Sequence, residues 1–145
     1  MGGFGIVEID GVQPTPSGQL PVVSTPPEPP PGTDPVPSAD RLGEGNVTNT
    51  TPQEVAFAIP SDKKLTVTQL TGAAESSVAG ARVDLLHSDG STEQRIAAPL
   101  FLNGATQQIA LMKSFASGSI VLRRTNNSGA PSFIYAEWDG FLENA

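Results

Sequence analysis

Cysteine is missing from the 145 residues, and histidine occurs once, at His87. Without thiols the chain has no disulfides, no thiolate metal site and no cysteine nucleophile. A Ser-His-Asp triad would have to use His87, which stands beside a tight-turn signal with no nucleophile-elbow sequence near it. It reads as a surface or edge histidine. Basic residues are also few: 8 Lys and Arg against 15 Asp and Glu, for a net charge of −7. An acidic chain with no basic stripe is a poor ligand for phosphates, so no nucleic-acid partner is expected. No run approaches the roughly 18 consecutive apolar residues of a membrane helix, and no membrane partner is expected. The opening MGGFGIVEIDG lacks the basic start and long apolar stretch of a secretory signal. A myristoylation motif would need Ser or Thr where Ile6 stands. Without a secretory signal, the sequons at Asn46, Asn49 and Asn126 read as turn and strand-edge residues.

What the chain has in excess is proline, and most of it lies in one place. Ten of its 14 prolines fall between Pro14 and Pro37. Proline lacks a backbone donor and fixes φ, so this stretch suits neither a helix nor the middle of a sheet. As polyproline II, at about 3.1 Å per residue, it would reach about 75 Å. A 100-residue domain is only about 35 Å across. The sequence therefore divides into an apolar head at 1–12, a proline-rich extended arm at 13–45 and a folded body at 46–145. Charge follows the same division: residues 1–45 carry six acids against Arg41 alone. In the head, Phe4, Ile6, Val7 and Ile9 have the make-up of a short strand ended by Asp10-Gly11. Two readings stand for it: a frayed terminus, or an apolar strap that docks far from its own domain. The arm likewise reads as a spacer or as a ligand for a proline-binding groove.

The body reads as short strands separated by turns. Val55, Phe57 and Ile59 share one face, Leu65 and Val67 another, with Thr66 and Thr68 turned outward. Residues 73–81 are small and read as a loop flanked by Gly72 and Gly80. Val83 and Leu85 point inward on a strand that runs into Asp89-Gly90, a pair suited to a type I′ hairpin, with 92–97 returning. Further strands cover 99–102, 106–112 with Ile109 and Leu111 on one face, and 119–125. The last, from Ser132 to Phe141, sends Ile134, Ala136 and Trp138 to the core; Trp138 alone would bury about 200 Å². About eight strands at turn spacings of about ten residues predict an all-β fold, an antiparallel two-sheet sandwich of jelly-roll type.

No motif names a reaction, and no catalytic residue, cofactor or metal site is assigned. Asp84, Asp89 and Glu93 flank the hairpin without the loop spacing that wraps calcium. Glu137 and Asp139 share one face of the last strand, about 7 Å apart at the backbone, a geometry that glycoside hydrolases use. The plainer reading is a solvated face beside Arg123 and Arg124. Those two arginines read as a solvated edge or an intersubunit ion pair. Tyr135 and Phe141 lie on the same face as Glu137 and offer an alternative glycan platform.

The closing segment RRTNNSGAPSFIYAEWDGFLENA resembles the last hairpin of small β-sandwich virion proteins of tailed bacteriophages, and VDLLHSDGSTEQRIAAPLFLNG is compatible with the same sandwich. The resemblance covers roughly residues 46–145 and assigns no site residues. In layout, a cysteine-free acidic β-domain behind a proline-rich arm is similar to phage capsid decoration, or cement, proteins. That resemblance implies a structural role in the virion, assembled in the host cytoplasm. It also implies a homo-oligomer, often a trimer, that bridges capsomers with the major capsid protein or another virion protein as partner. Tail-fibre and baseplate parts, or a receptor-binding module, use sandwiches of the same kind.

Overall fold

A computed structural model of the chain describes residues 29–48, 50–74 and 80–145. The head with Phe4, Ile6, Val7 and Ile9, the first part of the arm, and most of the expected loop at 75–79 lie outside the described residues.

Strand alternation builds the core. On the longest strand, Ser132–Asn144, the side chains of Ile134, Ala136 and Trp138 are completely buried. On Lys63–Ala74 the same holds for Leu65, Val67 and Leu70. In chain order the elements are β1 (Asp34–Pro35), α1 (Ser38–Arg41), β2 (Leu42–Val47), β3 (Gln53–Ala58), β4 (Lys63–Ala74) and β5 (Ala81–Ser88). They continue with β6 (Glu93–Arg95), β7 (Leu100–Phe101), β8 (Gln107–Phe115), β9 (Ser119–Asn126) and β10 (Ser132–Asn144). One sheet runs β2-β10-β4-β8, with β1 beside the far end of β10; the other runs β3-β9-β5, with β6 and β7 both on β5. Every pairing is antiparallel. Successive strands from β2 to β5, and again from β7 to β10, change sheets at each step. That winding is the jelly roll, and it places each inner face against the other. Between the faces, Phe57 of β3 meets Trp138 of β10 with ring centroids 6.0 Å apart.

Several expectations are corrected. The sandwich reaches back into the region expected to be arm: Asp34 and Pro35 pair with Leu142 and Phe141, Val36 is buried in the core, and β2 pairs with β10 from Leu42 to Val47. The apolar Val36 and, at the end of β2, Val47 enter the core and tie this stretch down. Gly72 is not a loop flank but lies inside β4, where a Cβ would sit 3.2 Å from both Leu100 and Leu102. Glycine is what lets those two leucines pack on the strand. The Asp89-Gly90 turn is not type I′, because Gly90 has positive φ and Asp89 does not. Asp89 instead caps a four-residue loop, its Oδ1 accepting from the amides of Ser91 and Thr92, both at 2.8 Å. Those bonds hold its carboxyl below the ordinary value of 3.8. Thr66 faces outward as expected but is buried, its hydroxyl 2.9 Å from that of Ser114.

Candidate functional site

The outer row of β10 is the densest chemical feature of the described residues. Strand alternation puts Tyr135, Glu137, Asp139 and Phe141 on the face opposite Trp138. A solvated face beside Arg123 and Arg124 is not what forms. Arg41, at the end of α1, lies over the row: it pairs with Glu137, and its Nη1 stands 2.9 Å from Asp139 Oδ1. Its Nε donates to the Val36 carbonyl at 2.8 Å. Tyr135 donates its hydroxyl to Glu137 Oε1 at 2.7 Å. Burial pushes the Tyr135 phenol up to about 12, with help from the bond to Glu137. Burial also raises the Asp139 carboxyl, while the nearby Arg41 pulls it back down.

This arrangement is a clasp. Glu137 spends both oxygens, one on Arg41 and one on Tyr135. Asp139 is buried under the same guanidinium. Neither carboxylate stands free opposite an open space in the manner of a glycosidase acid and nucleophile. Tyr135 and Phe141 do share the face, but six residues of strand separate them by about 20 Å, so they cannot flank one sugar ring. Both are half-buried.

The two arginines expected at a solvated edge have different fates. Arg123 sits on the outer face of the second sheet, paired with Glu54 and, at 2.8 Å, with Glu93. Its bond to Glu93 leads in holding the guanidinium above its ordinary value, and Glu54 adds to it. Arg124 is buried and points between the sheets. Its Nη1 donates to the Ile134 carbonyl at 2.9 Å and Nη2 to Gln53 Oε1 at 2.6 Å, so a β9 side chain bolts β3 to β10. Desolvation lowers its pKa, against the pull of Glu44. Gly43 makes the room, since a Cβ there would lie 3.1 Å from Arg124 Nε. Asn126 is a second bolt, completely buried, donating to the Val47 carbonyl at 2.9 Å and to that of Ala130 at 2.7 Å. Its amide is committed to the core and closed to a glycan.

The three acids weighed for calcium go to separate partners. Asp84, buried, takes Arg82 Nε and Arg95 Nε, each at 2.9 Å. Asp89 caps its own loop, and Glu93 pairs with Arg123. Among the described residues no group of three metal-ligating side chains converges. His87 stacks on Phe115 with ring centroids 4.4 Å apart, and its Nε2 lies 2.8 Å from the Ser117 carbonyl. It sits half-buried on β5, across from Ile120.

Sequence reasoning missed the roles of Arg41, Arg124 and Asn126. For Arg41 there was a signal: it is the single base of residues 1–45, and the last strand carries an acid pair. For the bolts there was none, because a buried Arg and an exposed one look alike in sequence.

No family model matches the chain, and no curated protein matches it. Solved structures do. A chain in the structure of infectious bursal disease virus Gt strain superposes with a TM-score of 0.50 at 13% identity, over 86% of this chain and 38% of that one. The likeness is one of fold. The present chain thus spans little more than a third of that chain's length. The Gx strain of the same virus gives a TM-score of 0.43 at 10% identity, over 86% of this chain and 37% of the other. PliG of Aeromonas hydrophila, a periplasmic inhibitor of g-type lysozyme, gives 0.37 at 14% identity, over 77% of this chain and 91% of the inhibitor. An antiparallel two-sheet β-sandwich is what the first of these comparisons supports.

Proposed function

We propose that the chain is a non-enzymatic structural protein of a virus particle, a capsid decoration or cement protein of the kind found on tailed phages. Its β-domain sits on the shell, against the major capsid protein or another virion protein. Its N-terminal arm, tipped by Phe4, Ile6, Val7 and Ile9, straps neighbouring subunits. Assembly is as a homo-oligomer, with a trimer favoured.

One observation carries this reading: a two-sheet β-sandwich in which four of the five described arginines are spent on acids of the same chain. Arg41 closes over Glu137 and Asp139, Arg123 over Glu54 and Glu93, and Asp84 takes Arg82 and Arg95. Such a surface is built to hold shape, and among the described residues it brings together no free acid and base for turnover. The fold likeness to a chain of a virus structure supports the same reading. The long proline-rich segment adds a second point of attachment on a single chain. Two weak contacts joined this way exceed either alone through effective concentration.

The test is stoichiometry. Quantitative mass spectrometry of purified particles should find the chain in a fixed ratio to the shell protein, with the ratio unchanged through successive purification steps. A chain abundant in the infected-cell lysate and missing from particles overturns the reading.

A further inference from the structure

We infer that the free edge of β8 is the acceptor for the apolar head of a neighbouring copy, so that Phe4–Ile9 of one chain adds as a further strand to Gln107–Phe115 of the next. The inference rests on the reading of the N-terminal segment as a strap, and it names where the strap docks.

Four observations converge on β8. Among the described residues it pairs with β4 and with no other strand. An antiparallel edge strand turns about every second N–H and C=O away from its neighbour, and β8 is nine residues long. The other edge strands are shorter, two or three residues in β1, β6 and β7 and six each in β2 and β3, and Gln53 stitches the last two together by donating to the Asn46 carbonyl at 2.9 Å.

Cover is also incomplete at β8. The inward-facing Ile109, Leu111 and Phe115 are only half-buried, whereas Leu65, Leu70, Ile134 and Trp138 of the adjoining strands are completely so. On the outer side Met112 is 73% exposed, the most exposed of the large apolar side chains described.

The head has the complementary pattern. Alternation along an added strand sets Val7 and Ile9 on one face, and Phe4, Ile6 and Glu8 on the other. The first set extends the apolar cover over Ile109 and Leu111. The second brings Phe4 and Ile6 to the exposed Met112 on the outer side. Main-chain bonds supply affinity in such additions, and alternate side chains supply specificity.

Chain length admits the neighbour's edge. At polyproline spacing, about 3.1 Å per residue, residues 10–28 would reach at most about 59 Å. The described chain leaves the sandwich beside β1, only three strand spacings, about 14 Å, from its own β8. A spacer about four times that length is suited to crossing to the next copy. A head-to-tail contact of this kind closes into a ring or continues as a surface network, according to the rotation between copies.

The experiment is residue-resolved amide hydrogen exchange on the full chain, native against the double variant Ile6→Asp/Ile9→Asp. The amides of 107–115 that do not bond to β4 should exchange at least tenfold faster in the variant, with β9 and β10 unchanged. In the native protein their protection should fall on dilution. Equal exchange at β8 in the two proteins overturns the inference. Protection that depends on the head but not on dilution places the head on its own β8 and overturns the transfer between copies. The measurement uses protein free of particles, so its failure leaves shell binding by the body standing, and loss of shell binding leaves this result standing.

Discussion

Arg41 Nη1 stands 2.9 Å from Asp139 Oδ1 while the same guanidinium pairs with Glu137, 96 residues along the chain from Arg41. That clasp fastens β1, α1 and the start of β2 to the sheet's longest strand. Removing the cation leaves two partly buried carboxylates uncompensated. Arg41→Met should therefore destabilise the fold by about 2–3 kcal/mol, below the full cost for a deeply buried pair because the clasp is partly open to water. Arg41→Lys should recover less than half, since an ammonium cannot fork between two carboxylates and the Val36 carbonyl. Urea unfolding followed by the fluorescence of Trp138, the single tryptophan, reads both variants. A loss under about 0.5 kcal/mol for Arg41→Met would show the clasp to be idle.

Asp139 gives the clasp a pH signature. Its carboxyl is raised above 3.8, chiefly by burial, so the folded state holds the proton more tightly than the unfolded chain does. Stability from this group is thus full below pH 3.8 and declines as pH rises through the folded value. Asp139→Asn should flatten that limb of the stability profile. Carbon-detected titration of the carboxyl checks the direction, and a value below 3.8 contradicts it.

Tyr135 is the single tyrosine, so its phenolate absorbance is unobscured. The folded protein should resist ionisation until about pH 12, burial leading and the bond to Glu137 adding to it. Glu137→Gln should bring the titration part of the way back toward 10.0. Because the folded value is the higher one, stability from this group is present below pH 10.0 and lost as pH rises toward about 12. An unchanged midpoint in the variant would mean that Glu137 takes no part in setting it.

Gly43 and Arg124 should behave as one unit. A Cβ at Gly43 would press on Arg124 Nε at 3.1 Å and disturb the bonds to Ile134 and Gln53. Gly43→Ala should cost about 1–3 kcal/mol. In the background of Arg124→Met the same substitution should cost much less, a coupling that a double-mutant cycle measures. Additive effects would separate the two residues.

Alternation along the strands carried most of the fold. Val55, Phe57 and Ile59, Val83 and Leu85, and Ile134, Ala136 and Trp138 each announce an inner face, and each set faces inward in the sandwich. Asn103-Gly104 marked the turn after β7, with Gly104 at positive φ. Where reading failed, a tertiary contact decided the matter. Gly72 looks like a loop residue until the leucines packed on it are seen, and Val36 looks like arm until the core that receives it is known. The outer row of β10 was legible as a set of residues, but its chemistry was not. Whether Glu137 and Asp139 are free or clasped depends on Arg41, and no local pattern links residues so far apart in sequence.

The most direct test of the structural role is add-back. Particles lacking the chain are mixed with increasing amounts of purified protein, full-length or without residues 1–12, and bound copies are counted against shell subunits. The account predicts saturation at a fixed ratio for the full chain. It also predicts that the shortened chain needs at least a hundredfold more protein to reach the same occupancy, because one of two linked contacts is gone. Full-length protein that fails to bind the particles, or a shortened chain that binds equally well, would contradict it.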